Sequence, residues 1–326
     1  MCFQQSRIMA HPERHGTIKM NPNFDPELAA AALEKAMKGS GCDKQAIVQQ
    51  LLSCSNAQRQ MIRTPFKTKY GKDLVDELKK ELSGDLENVV VGLMETPTKF
   101  DVLQLYNAMK GLGTKESVLI DIVCSRTPSE LAAIKNEYKD EYNKSLEDDI
   151  VGDTSGDFKN LLVSLLQGKR DPSYHVDIMK AREDARKMFG SKKEKPDKSV
   201  FNDAFANQNV HQLARIFSEF QSIHGETIQT VISRVFSGDA RDLYSHLADF
   251  IQNKPRFFAR QLYEAMKGLG TRDTDLIRII VSRSEIDLQD IREEFEKVYK
   301  KPLSEWLTSE CSGVYRDALV AIVNGN

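Results

Sequence analysis

The sequence predicts an all-α chain built from four consecutive repeats of five helices each. Three observations predict it. Ser-Gly pairs recur at Ser83-Gly84, Ser155-Gly156, Ser237-Gly238 and Ser312-Gly313, their glycines 72, 82 and 75 residues apart. The hexapeptide Met109-Lys110-Gly111-Leu112-Gly113-Thr114 returns intact at Met266–Thr271, with a close variant at Met37–Cys42. Between these marks the apolar residues fall at helical spacing, and β-hairpin signals are absent. A repeat near 72 residues is the sequence signature of an array.

The second repeat gives the order of its helices. Val102, Leu105, Tyr106 and Met109 form one apolar stripe. Gly111 and Gly113 end that helix, and Thr114 is placed to cap the next, which carries Val118, Leu119, Ile122 and Val123. Thr127-Pro128-Ser129-Glu130 opens a third helix, with proline in its first turn. Leu146 to Val151 makes a fourth, and Phe158 to Leu166 a fifth. Five short helices cannot close a core alone, so neighbouring repeats must pack together. Pro65 interrupts the third helix of the first repeat and predicts a kink or a late start there. The boundaries follow: a head at 1–23, repeats at 24–95 and 96–167, a linker at 168–190, and repeats at 191–252 and 253–326.

Composition narrows the function. The chain has 326 residues, 40% hydrophobic and 29% charged, with a net charge of -2. That balance gives no reason to expect nucleic acid. Cys2, Cys42, Cys54, Cys124 and Cys311 form no CxxC pair, and no signal peptide or membrane-spanning apolar run is visible. A cytoplasmic protein with peripheral membrane contact is expected. The six histidines show no metal spacing, and no nucleophile motif appears, so no enzyme is expected.

In each of three repeats an acid stands 39 positions after the sixth residue of the turn: Glu81, Asp153 and Glu310. This pattern suits Ca2+, which takes 6–8 oxygen ligands, carbonyls and carboxylates among them. A helix end leaves carbonyls without partners, and glycine lets the chain turn so that alternate carbonyls face one point. The candidate ligands are Met37, Gly39, Gly41 and Glu81; Met109, Gly111, Gly113 and Asp153; and Met266, Gly268, Gly270 and Glu310. One carboxylate leaves the bound ion at +1, still attractive to anions. Each site alone belongs near the weak end of calcium affinities, about 10⁻⁴–10⁻³ M. Three sites acting together gain ~10²–10⁴ in avidity. Lys38, Lys110 and Lys267 lie in the same turns and add about 1 kcal/mol each toward an anionic surface. The plainer alternative is that the turns are helix C-caps. A phosphate loop is a poor alternative, since the GxxxxGK[ST] order is missing.

These turns, with Asp or Glu at this distance, resemble the signature of the annexin family, and the resemblance covers about residues 24–326. It implies a curved disc with its calcium loops on a convex face, and calcium-dependent binding of acidic phospholipid membranes such as those rich in phosphatidylserine. The second and fourth repeats match fully. The first has Cys42 in place of threonine, and Lys44 where annexins often carry an acid for a minor calcium. The third repeat has lost the pattern: 192–197 has no glycine pair and Val235 stands where the acid should, so no calcium of this type is expected there. Its Lys192, Lys193, Lys195 and Lys198 are either a solvated loop or a calcium-independent headgroup contact. Arg126 and Arg283 match the annexin polar centre, where Asp101–Arg126 is a plausible pair within either a structural network or an ion path. Trp306 packs in the last repeat or dips into lipid. The head reads as flexible and as a site for a protein partner. Besides membrane binding, a calcium-regulated protein scaffold and a membrane ion conductor remain open.

Overall fold

The computed structural model describes residues 15–38, 41–187 and 197–326. It is helical throughout, with twenty helices and no strand among the described residues. The first repeat holds α1 (Pro26–Met37), α2 (Lys44–Leu52), α3 (Asn56–Tyr70), α4 (Leu74–Glu81) and α5 (Gly84–Met94). The second holds α6 (Pro97–Met109), α7 (Glu116–Ser125), α8 (Pro128–Tyr142), α9 (Leu146–Asp153) and α10 (Gly156–Leu166). The third holds α11 (Ile178–Lys187), α12 (Lys198–Asn207), α13 (Val210–His224), α14 (Ile228–Val235) and α15 (Gly238–Gln252). The fourth holds α16 (Lys254–Met266), α17 (Asp273–Arg283), α18 (Leu288–Tyr299), α19 (Leu303–Glu310) and α20 (Gly313–Asn324).

Local chemistry explains most helix starts. Thr127 and Glu130 cap α8 reciprocally: the Thr127 N–H donates to Glu130 Oε2 at 2.7 Å, and the Glu130 N–H donates to Thr127 Oγ1 at 3.3 Å. Pro65 does not delay α3, which begins at Asn56 and runs through the proline to Tyr70. The start is set by Ser55, whose N–H donates to Gln58 Oε1 at 3.1 Å. The stretch 168–190 contains α11, a short helix that buries Ala181 and Ala185. Charged residues on its other faces hide it from a reading based on apolar runs.

The helices gather into two compact units. One combines the chain up to Glu95 with Ala259–Asn326; the other is Thr96–Phe258. In the second unit a single buried core runs from Leu119, Leu131 and Leu162 to Phe205, Phe217 and Leu247. Apolar burial contributes roughly 25 cal/mol per Å². The second and third repeats thus complete one another's core, as repeats too small to close alone must. The same unit holds the Asp101–Arg126 pair, buried on both sides, with Nε–Oδ2 at 2.7 Å and Nη2–Oδ1 at 2.8 Å. Arg126 Nη1 also donates to Ser125 Oγ at 2.6 Å. A buried guanidinium requires such partners.

In the first unit α5 packs against α17 and α20. Arg59 is buried and fully engaged: it donates to the carbonyls of Leu93, Leu51 and Cys54 at 2.9, 2.9 and 2.7 Å, and to Glu285 Oε1 at 2.7 Å. The head departs from the flexible segment expected. Residues 1–14 lie outside the described residues, but the chain from 15 to 21 is tied down. The Ile18 N–H donates to the Ser284 carbonyl at 3.0 Å, Thr17 Oγ1 to the Ile322 carbonyl at 2.6 Å, and the Asn21 N–H to Gln58 Oε1 at 2.9 Å. Gly16 is required there, because a Cβ would sit 2.4 Å from the Glu285 carbonyl carbon. The tie escapes an apolar-pattern reading because it is made of hydrogen bonds to residues distant in sequence.

Candidate calcium loops

In the second repeat α6 ends at Met109, and two hydrogen bonds close the turn behind it. The Lys110 N–H donates to the Tyr106 carbonyl and the Lys115 N–H to the Ala108 carbonyl, both at 2.9 Å. Between them Gly111 and Gly113 take φ of 106° and 82°, a left-handed backbone that disfavours any side chain. The carbonyls of Met109, Gly111 and Gly113 accept no hydrogen bond from the described residues. The fourth repeat repeats the design. Lys267 donates to the Tyr263 carbonyl and Arg272 to the Ala265 carbonyl, both at 2.8 Å, and Gly268 and Gly270 have φ of 126° and 83°. At the tips, Leu112 and Leu269 are fully exposed.

The first repeat keeps the closure. Lys38 donates to the Glu34 carbonyl and Asp43 to the Ala36 carbonyl, both at 2.9 Å. Gly39 lies outside the described residues.

The three acids occupy one structural position: Glu81, Asp153 and Glu310 are the last residues of α4, α9 and α19. In the third repeat that place, at the end of α14, is Val235. Thr114 does not cap α7, whose N-cap is Lys115 without a side-chain bond. Its Oγ1 instead donates to the Asp153 carbonyl at 3.3 Å, tying the loop to the end of α9. Thr271 differs: its hydroxyl lies 2.8 Å from both oxygens of Asp273, whose Oδ1 also accepts from the Tyr315 hydroxyl at 2.8 Å. Each loop lysine lies over a tyrosine ring, Lys38 on Tyr70, Lys110 on Tyr106 and Lys267 on Tyr263, at 5.8, 5.7 and 5.6 Å.

The loop and the acid of the second repeat line one cavity of about 240 Å³. Met109, Gly111 and Asp153 face it together with Tyr106, Lys110, Tyr138, Lys144 and Asp149. Gly113 is not part of its lining. Among the described residues no three His, Cys, Asp or Glu side chains gather as a metal cluster. The donors that face the second-repeat cavity, main-chain oxygens with the carboxylates of Asp153 and Asp149, are an all-oxygen set that fits a hard cation such as calcium. The neighbouring thiols are held neutral. Burial, then Glu81, pushes the Cys42 thiol up, and burial, then Asp273 and Glu310, pushes Cys311 up to about 11.

In the third repeat, Lys192, Lys193 and Lys195 lie outside the described residues. Lys198 does not stand free in solvent: its Nζ is 2.5 Å from Asp157 Oδ2 and 5.4 Å from the Phe236 ring centre. Trp306 packs in the last repeat, 5.3 Å from Tyr263 and 6.3 Å from Phe295 between ring centres. The sequence reading missed Tyr138, Lys144 and Asp149. The available signal was Asp149 itself, four residues before Asp153 and hence on the same helical face.

The Annexin family model matches residues 28–93, 100–165, 184–247 and 257–322. Bovine annexin A5 is 44% identical over 312 residues, covering 95% of this chain and 97% of that protein. Human annexin A11 is 44% identical over 313 residues, and there the chain spans 62% of the relative's length. Among solved structures, annexin III superposes with a TM-score of 0.92 at 39% identity, covering 95% of this chain and 97% of the other. A calcium-bound annexin (Sm)1 superposes at 0.85 with 31% identity, covering 95% and 93%. The chain belongs to the annexin family, whose members are calcium-dependent phospholipid-binding proteins.

Proposed function

We propose that this chain binds acidic phospholipid membranes in a calcium-dependent way, as a cytoplasmic protein peripheral to the bilayer, without catalysis. The ligands assigned are the carbonyls of Met37, Gly39 and Gly41 with Glu81, of Met109, Gly111 and Gly113 with Asp153, and of Met266, Gly268 and Gly270 with Glu310. The observation that carries this reading is the shared closure of the three turns, each followed by an acid at the end of its repeat's fourth helix. No described helix is long and apolar enough to cross a membrane, so contact through loops is the available mode. The calcium-bound state of annexin (Sm)1 supports the choice of ion.

Bound calcium supplies the positive charge that draws an anionic headgroup. The chain's residues do the rest. Backbone carbonyls with the acid at the end of the fourth helix would hold the ion. Lys110 lines the second-repeat cavity, and Lys267 lies over Tyr263 in the fourth-repeat turn. Leu112 and Leu269 project from the tips, where apolar side chains gain by entering the interface.

Sedimentation with phosphatidylserine-containing vesicles tests the reading. The protein pellets in calcium and is released by chelator. Asp153→Ala combined with Glu310→Ala raises the calcium needed for half-binding by more than about tenfold, since linked contacts multiply. An unchanged requirement rejects the site assignment.

A further inference from the structure

The second loop differs from its counterparts in what stands one helical turn before its acid. Asp149 and Asp153 share a face of α9, and both line the cavity with Met109 and Gly111. The Tyr138 hydroxyl, on a fully buried side chain, donates to Asp149 Oδ2 at 2.7 Å. That bond fixes the carboxylate without cancelling its charge. The equivalent residue of the first repeat is Glu77, whose oxygens are taken by Lys72 and Lys80 at 2.7 Å each. In the fourth repeat it is Trp306, with Lys301 5.6 Å above its ring. Lys72, Lys144 and Lys301 are themselves equivalent: Lys72 pairs with Glu77, Lys301 lies over Trp306, and Lys144 lines the cavity with the tyrosine-held Asp149.

We propose that Asp149 is a second carboxylate of the second-repeat calcium site, a specificity-determining residue that makes this loop the tightest of the three. The inference rests on the calcium reading above. Two carboxylates balance a divalent ion, where Asp153 alone leaves it at +1. Calcium affinity is tuned by ligand charge and rigidity, and Asp149 contributes both: a negative charge, and a position fixed by a buried phenol. Lys110 and Lys144 line the same cavity. Lys110 is held over Tyr106, which stacks on Tyr142 at 3.8 Å between ring centres. These two ammonium groups add positive charge beside the ion for the anionic headgroup.

The test uses the full chain carrying Glu81→Gln and Glu310→Gln, so that the second loop reports alone. Calcium is titrated by calorimetry, and terbium by luminescence sensitised through the neighbouring tyrosines. In this background Asp149→Asn raises the calcium Kd about five- to tenfold. Its calcium-free unfolding midpoint stays within about 2 °C, because asparagine still accepts from Tyr138. Asp149→Glu, which restores the charge, stays within about threefold of the parent. The proposal is overturned if Asp149→Asn binds within twofold of the parent while Asp153→Ala abolishes binding; the calcium site then stands without Asp149. It is overturned equally if Asp149→Glu weakens binding as much as Asp149→Asn, since charge is then not the cause. If Asp153→Ala leaves the titration unchanged, the calcium assignment itself fails and this inference falls with it.

Discussion

Cys311 directly follows Glu310 and sits near Asp273, and its chemistry reports on that surrounding. Burial and the two carboxylates disfavour the thiolate and push the thiol up to about 11, against an ordinary 9.0. An acid whose folded pKa is raised stays neutral in the fold while the unfolded chain ionises. Its contribution to stability is therefore complete below about pH 9 and falls as pH rises from 9 to 11. At pH 8 the thiolate fraction is about a hundredth of that of an unperturbed thiol. Iodoacetamide should alkylate Cys311 at least tenfold more slowly than a free cysteine at pH 8, followed by peptide mass mapping; equal rates would contradict the electrostatic picture of the fourth loop. At this scale the loop glycines and the acids were legible because they recur at one fixed offset. Asp149 and Tyr138 were not, because their pairing occurs in one repeat and depends on α8 meeting α9. Thr114 was misread as a helix cap, since sequence cannot say which of two nearby backbone groups a hydroxyl will choose.

The third helix of each repeat ends in a left-handed residue, and the four repeats fill that place differently. Gly71 and Gly225 have φ of 69° and 66°, whereas Asn143 and Lys300 adopt 53° and 60° with side chains attached. Glycine and asparagine accept this conformation; lysine is strained by it. Lys300→Gly should stabilise the protein by about 0.5–1 kcal/mol, allowing for the extra freedom glycine gives the unfolded chain. Chemical denaturation read by circular dichroism would measure it, and destabilisation would mean that the Lys300 side chain makes a contact worth more than the strain. The existence and order of the helices were legible from apolar spacing and from Thr127-Pro128-Ser129-Glu130. The start of α3 and the presence of α11 were not. α3 tolerates Pro65 because a proline removes one hydrogen bond, while its start is decided ten residues earlier at Ser55. α11 lies in a stretch too polar to show an apolar stripe.

Across the molecule, the net charge of -2 offers no long-range attraction to an anionic bilayer. On the proposed reading, affinity arises locally at each loop, from a divalent ion with a lysine beside it, and linked contacts multiply it. The repeat number was legible because self-similarity survives in sequence even where the third repeat lacks the turn pattern. The grouping of the first and fourth repeats into one unit was not, since their contacts join segments separated by nearly the whole chain. That grouping depends on side chains such as Arg59 and Glu285, whose partnership no local pattern announces. The most direct test of the account is anomalous scattering from crystals soaked in saturating calcium. It predicts metal peaks between the Met109–Gly113 carbonyls and Asp153 and between the Met266–Gly270 carbonyls and Glu310, with none beside Val235; the absence of peaks beside Asp153 and Glu310 would contradict it.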